Sequence, residues 1–268
     1  MGGGAVMAIA QAAIGAATTS RRRPESLFYP LFALSTAAAV LVGFGFTYFG
    51  PVAVGSFPEA SPFVHVHGWS FFLWYLLFAL QALLVAKGGY KLHMALGRIS
   101  FALAAVMIVT GFFVLAVRMN DALGGGDDFF LQFLRHVGPL VLSGLVLFTI
   151  FYAGAVRAAL SRRMEAHKRL MVLASSAGLG AALFRISVVT LGPGWMADVG
   201  WVLLTNVFML AGAVYDRAVH GRVHPVYWSG IALALAIEAL VWPFPDTPIV
   251  PAINSALATI GRQVSFLY

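Results

Sequence analysis

Apolar side chains run along this chain in long blocks, and the polar positions fall between the blocks instead of alternating within them. The blocks predict helices at about Leu27–Phe49, Gly68–Ala86, Leu92–Val117, Phe129–Arg157, Leu170–Thr190, Trp201–Tyr215 and Val226–Trp242. A bilayer core of roughly 30 Å takes about 20 helical residues at about 1.5 Å each, so the pattern is that of a chain crossing a membrane repeatedly. Gly50-Pro51, Gly88-Gly89, the stretch RMNDALGGGDD and Gly192-Pro193-Gly194 separate the blocks, as residues that break or leave helices should. The second block carries the clearest start, because Ser61 suits a helix cap and Pro62 suits the first helical position. Its only strongly polar side chain is Gln81.

Basic residues then orient the blocks. Thirteen of the lysines and arginines fall on one side, in clusters such as Arg21-Arg22-Arg23, Lys87 to Arg98 and RAALSRRMEAHKR. Arg118, Arg135 and Arg262 fall on the other, and Arg185 lies within a block. The positive-inside rule makes the basic side cytoplasmic. The expected fold is therefore all-α, a bundle of seven transmembrane helices with a cytoplasmic N-terminus and an external C-terminus. Residues 1–26 read as a poorly ordered basic tail, 27–243 as the membrane domain and 244–268 as an external segment. In the last, Ile253, Leu257, Ile260, Val264 and Leu267 follow helical spacing, which predicts an amphipathic helix lying on the outer surface.

Composition agrees and removes alternatives. Hydrophobic residues make up 60% of the 268 and charged ones 10%, outside the range of soluble domains. The net charge of +7 forms no continuous basic face, so the partner is the lipid bilayer and not nucleic acid. Cysteine is absent, which excludes disulfides and thiolate metal sites and leaves His, Met, Asp and Glu as metal ligands. The location expected is a bacterial inner membrane, crossed several times.

The candidate chemistry lies in the histidines. His65, His67 and His136 fall at the outer side, and His93, His167, His220 and His224 at the inner. For any one of them a hydrated interfacial role is the simpler reading. Taken by helix, however, His67 and His136 stand level on helices 2 and 4, about 12 Å outward of the middle. His93 and His167 stand level on helices 3 and 5, about 18–20 Å inward. Two level pairs on alternating helices of a four-helix core suit axial imidazole ligation of one haem b each.

That alternation resembles the ascorbate-reducible di-haem transmembrane cytochromes b, and the resemblance implies electron transfer across the membrane. LHMALGR and HKRLM, containing His93, Gly97, Arg98 and His167, separately resemble signatures of a large set of uncharacterised bacterial multi-span membrane proteins. Two departures from the di-haem pattern stand out. The inner histidines lie shallow and have cations on both sides, and His220 and His224 are left unused. Those two open a second reading, a zinc, iron or copper site formed with His93 and His167, acting on a lipid. Their four-residue spacing suits a helix, but Gly221 and Pro225 favour a loop. A third reading is a non-catalytic subunit or assembly factor of a larger membrane complex.

Arg185 and Glu238 each lie in the outer half of an apolar block, where a charge needs a partner. An Arg185–Glu238 ion pair between helices 5 and 7 is the simplest expectation. The functional alternative has Arg185 bind a haem propionate or a quinone, with Glu238 as a proton carrier and Asn206 beside them. Ser70 near His67 reads equally well as a nucleophile or as a packing hydroxyl, and Met107, Met164 and Met171 read as packing residues. No phosphate-binding glycine loop, retinal-type lysine or clustered histidine box is present.

Overall fold

The structure, a computed structural model, describes residues 25–57, 59–126, 129–242 and 248–267. Residues 1–24 of the tail read as poorly ordered, Asp127 and Asp128 lie outside the described residues, and Glu25 and Ser26 begin the first helix. Helix α1 spans Glu25–Phe44 and runs on through a π turn, Gly45–Phe49, into one further turn, Gly50–Ala53. Then follow α2 (Pro62–Ala86), α3 (Tyr90–Leu123), α4 (Phe129–Leu160), α5 (Met164–Ala177), α6 (Gly180–Leu191), α7 (Trp195–His220), α8 (Pro225–Val241) and α9 (Ile249–Gln263). Among the described residues five helices are long and apolar enough to cross a membrane, and α5 with α6 makes a sixth if counted as one bent span. α8 is apolar but shorter. The protein is thus an all-helical, multi-pass membrane protein. Leu31, Leu41, Leu73, Leu80, Val109 and Leu203 point outward, an apolar girdle far larger than water tolerates.

The local sequence explains the element ends. Pro62 stands in the first turn of α2, where its missing N–H is harmless, and Ser61 has the extended backbone of a cap. Its hydroxyl makes no capping bond, so proline sets this start. Gly88, at a φ of 77°, turns α2 into α3 in the left-handed region that a side chain avoids. α3 outlasts its predicted end at Val117, because Met119 and Ala122 are fully buried and Arg135 Nε donates to the Ala122 carbonyl at 2.7 Å.

α2, α3, α4 and α5 form the central four-helix group, with α1 packed on α2 and α6, α7 on α5 and α6, and α8 on α4, α5 and α7. The centre is aromatic. Trp74 meets Phe148 and Tyr152 edge-on at 4.9 and 5.1 Å, which joins α2 to α4.

One expected span is not straight. The fifth block breaks after Ala177, and α5 and α6 diverge by 46°. Tyr75 in α2 donates its hydroxyl to the Ser175 carbonyl at 2.8 Å, taking an acceptor from the helix ladder. A Cβ on Gly178 would lie 2.7 Å from that hydroxyl, and one on Gly180 would lie 3.0 Å from Trp201. The small residues therefore admit side chains from α2 and α7 against the backbone, and the helix kinks there. The final helix also differs from expectation. α9 packs against α3 and α4, burying Val250, Asn254, Leu257, Ala258 and Gly261. Asn254 Nδ2 donates to the Arg135 carbonyl at 2.7 Å, so α9 docks on its neighbours along a face rotated from the predicted apolar stripe.

Candidate functional site

Two histidines expected to be level are brought together at the end of the bundle that carries the basic loops. His93 stands in the first turn of α3, just after the Gly88-Gly89 turn, and Gln81 Nε2 of α2 donates to its carbonyl at 3.1 Å. His167 stands in the first turn of α5, after a turn in which Arg162 has a φ of 57°. The two rings meet edge-on, with centroids 6.5 Å apart and planes at 79°.

Hydrogen bonding defines what these rings offer. His167 Nδ1 lies 2.9 Å from the Ala155 carbonyl of α4. A carbonyl only accepts, so Nδ1 carries the proton and a neutral ring presents the Nε2 lone pair. This is how a backbone carbonyl commonly orients a metal-ligating histidine. His93 Nδ1 is buried with no hydrogen-bond partner, and so is Gln81 Oε1. Two imidazoles on one metal place their centroids about 6.3 Å apart, from a metal–nitrogen bond of about 2.0 Å and the ring radius. The observed centroid spacing of 6.5 Å is close to that value.

The other two histidines at this end have different roles. Asp216, in the last turn of α7, receives Arg169 of α5 as a fork, Nε at 2.7 Å and Nη2 at 2.8 Å. Both side chains are buried, 3% and 1% exposed. Arg169 Nη1 also donates to the Glu165 carboxylate at 2.6 Å, and Lys168 pairs with the same carboxylate at 2.9 Å. His220 Nδ1 lies 3.4 Å from Asp216, and the His224 backbone N–H donates to Asp216 at 3.1 Å. His224 Nδ1 accepts from the Val226 N–H at 3.2 Å and caps α8. Burial first, and then the Arg169 guanidinium, hold His224 below the ordinary imidazole range. His220 and His224 thus belong to an ionic knot joining α5, α7 and the start of α8, and do not complete a four-imidazole site with His93 and His167. Among the described residues no group of three or more His, Asp or Glu is arranged to hold a metal.

The residues at the opposite end are more dispersed. His67 Nδ1 is 3.2 Å from the Thr110 hydroxyl of α3. Its ring packs so closely that a Cβ on Gly111 would be 3.0 Å away. His136 is exposed and within electrostatic reach of Asp198. His65 Nδ1 is 3.0 Å from the Tyr48 hydroxyl. Ser70 donates to the His67 carbonyl at 2.8 Å.

The expected Arg185–Glu238 ion pair does not form. The bend between α5 and α6 aims Arg185 at α1, where Nε donates to Thr47 at 2.9 Å and the guanidinium covers the Phe44 ring at 4.2 Å. The π turn presents Thr47 for this bond. Glu238 instead receives Asn206 Nδ2 at 2.8 Å.

Asp216 was the residue missed in the sequence. Its signal was positional, because a carboxylate in the last turn of a helix opposes the macrodipole and needs a cation. Comparison with family models, characterised proteins and solved structures gives no match for this chain.

Proposed function

We propose that His93 and His167 hold one redox-active centre at the basic face of the membrane, with haem b as the group, and that the protein moves electrons there. The observation that carries this reading is the pair of adjacent rings 6.5 Å apart, one of them oriented by a carbonyl that leaves its Nε2 bare. When bound, haem supplies one-electron oxidation and reduction. The chain's own contribution is positional: Gln81 ties the first turn of α3 to α2, and Ala155 fixes the tautomer of His167.

In this reading the basic face is the cytoplasmic side of a bacterial inner membrane, α8 serves as a seventh span, and the C-terminus lies outside. The excess of basic residues in the loops at that end supports the orientation. The proposal rests on one pair, because His67 is engaged with Thr110 and His136 is exposed.

A reduced-minus-oxidised spectrum and a pyridine haemochrome assay on the detergent-purified protein test it. About one b-type haem per chain is expected, lost in His93→Ala and in His167→Ala and kept in His136→Ala. Colourless protein from haem-replete cells refutes haem. If a non-haem metal is then present and lost with the same two variants, the pair is an ion site. If no metal is bound, the scaffold-subunit reading gains.

A further inference from the structure

Glu238 and Asn206 form a polar site remote from the histidine pair and from the ionic knot. Asn206 lies about 21 Å from the basic end of α7 and about 16 Å from its other end, near the middle of that helix. Glu238 lies beside it on α8, within a stretch from Gly230 to Val241 that is otherwise apolar. Next to the carboxyl is a cavity of about 20 Å³. That is room for one water. Its polar lining is Ser143 of α4, Trp201 and Thr205 of α7, and Glu238, and it abuts Ala177, the last residue before the helix break. Glu238 is the only titratable residue among those lining it.

The direction of each proton defines what this site accepts. Ser143 donates its hydroxyl to the Leu140 carbonyl at 2.7 Å, and Thr205 donates to the Trp201 carbonyl at 2.8 Å. Both therefore offer only lone pairs to the cavity. Asn206 Nδ2 is shared between Glu238 at 2.8 Å and the Val202 carbonyl at 3.0 Å. Asn206 Oδ1 is buried and has no donor. Against these acceptors the lining holds one unpaired donor, the buried indole N–H of Trp201. An ionised carboxylate there has one side-chain N–H against the cost of leaving water within an apolar span. A carboxylic acid adds a donor to a lining in which acceptors outnumber donors.

From this geometry we infer that Glu238 is an intramembrane proton-binding site, occupied as the neutral acid and exchanging its proton through the water-sized cavity at the α5/α6 break. Asn206 is the positioning residue, because its N–H is the side-chain donor that favours the ionised form. Asp216 provides the internal contrast, being more deeply buried than the half-buried Glu238 but ionised against the Arg169 fork.

Dicyclohexylcarbodiimide, which partitions into the bilayer, reads the protonation state. The acid O–H adds across one C=N bond of the reagent, its oxygen bonding to the central carbon and its proton moving to nitrogen. The acyl group then shifts from oxygen to nitrogen, giving a stable adduct with no leaving group. The experiment treats the full-length protein in detergent or liposomes across a pH series and maps the adduct by peptide mass. Labelling of Glu238 at neutral pH, declining as pH rises, is expected, with Asp216 unlabelled. Glu238→Gln should remove the adduct. Asn206→Ala should move the labelling midpoint up by about one pH unit. Glu238 unlabelled at pH 7 while the reagent modifies other carboxyls overturns the inference, and so does labelling that sodium ions suppress at fixed pH. An unchanged midpoint in Asn206→Ala protein of native elution volume also refutes the role of that amide.

Discussion

The Arg169–Asp216 pair offers the sharpest test of what holds the bundle together at its basic end. Replacing Asp216 by alanine leaves the Arg169 guanidinium, 3% exposed, with its Nε and Nη2 donors unmatched. It also strips the acceptor from the His224 N–H at the start of α8. Removing one member of a buried ion pair costs about 3–5 kcal/mol, and a lost backbone acceptor adds about 1 kcal/mol. Asp216→Ala is therefore expected to cost about 4–6 kcal/mol. Arg169→Met should cost at the low end of that range, because Glu165 keeps Lys168 as a partner while Asp216 loses its cation.

The double variant Arg169→Met/Asp216→Ala removes both charges and their desolvation, and should fall within about 1–2 kcal/mol of the parent. The two single losses then exceed the double loss by several kcal/mol, a coupling that only a direct interaction produces. Reversible unfolding in mixed detergent micelles, followed by circular dichroism, measures all four proteins on one scale. A single Asp216→Ala loss below about 1 kcal/mol, or losses that simply add, refutes the reasoning and means that water reaches the pair.

Two further predictions concern the helix break and the α8 cap. Gly178→Ala drives a Cβ to 2.7 Å from the Tyr75 hydroxyl and should destabilise the fold by about 1–3 kcal/mol; with Tyr75→Phe the added penalty should largely disappear, and a full penalty in that background excludes the clash as its cause. His224 caps α8 through Nδ1, which requires the neutral ring, and its pKa is lowered in the folded protein. Its contribution is accordingly complete above the unfolded value of about 6.5 and is lost as pH falls below it towards the folded value. An imidazole NMR titration of His224 should give a midpoint below that of an exposed histidine, and His224→Ala should weaken the pH dependence of stability in this window.

The period and length of the apolar blocks determined that the chain is a helical membrane protein, because a span must satisfy its backbone internally and face lipid along its whole length. Local residues determined many boundaries too, including Pro62, Gly88 and Gly221, whose backbone preferences act without tertiary help. The level placement of His93 and His167 was legible from helical rise alone. Their approach to 6.5 Å was not, since it depends on which helices are neighbours.

Arg185 and Glu238 show the limit most clearly. Depth along the helices made them plausible partners, but a hydroxyl from α2 on the Ser175 carbonyl and the glycines after it bend the span, which turns Arg185 towards Thr47 and leaves Glu238 to Asn206. Asp216 likewise became significant only once Arg169 was placed against it across 47 residues of sequence. Sequence determined the depth of each polar group because rise per residue is constant. Tertiary structure alone decided their azimuth and their partners, because a kink of 46° redirects every side chain beyond it.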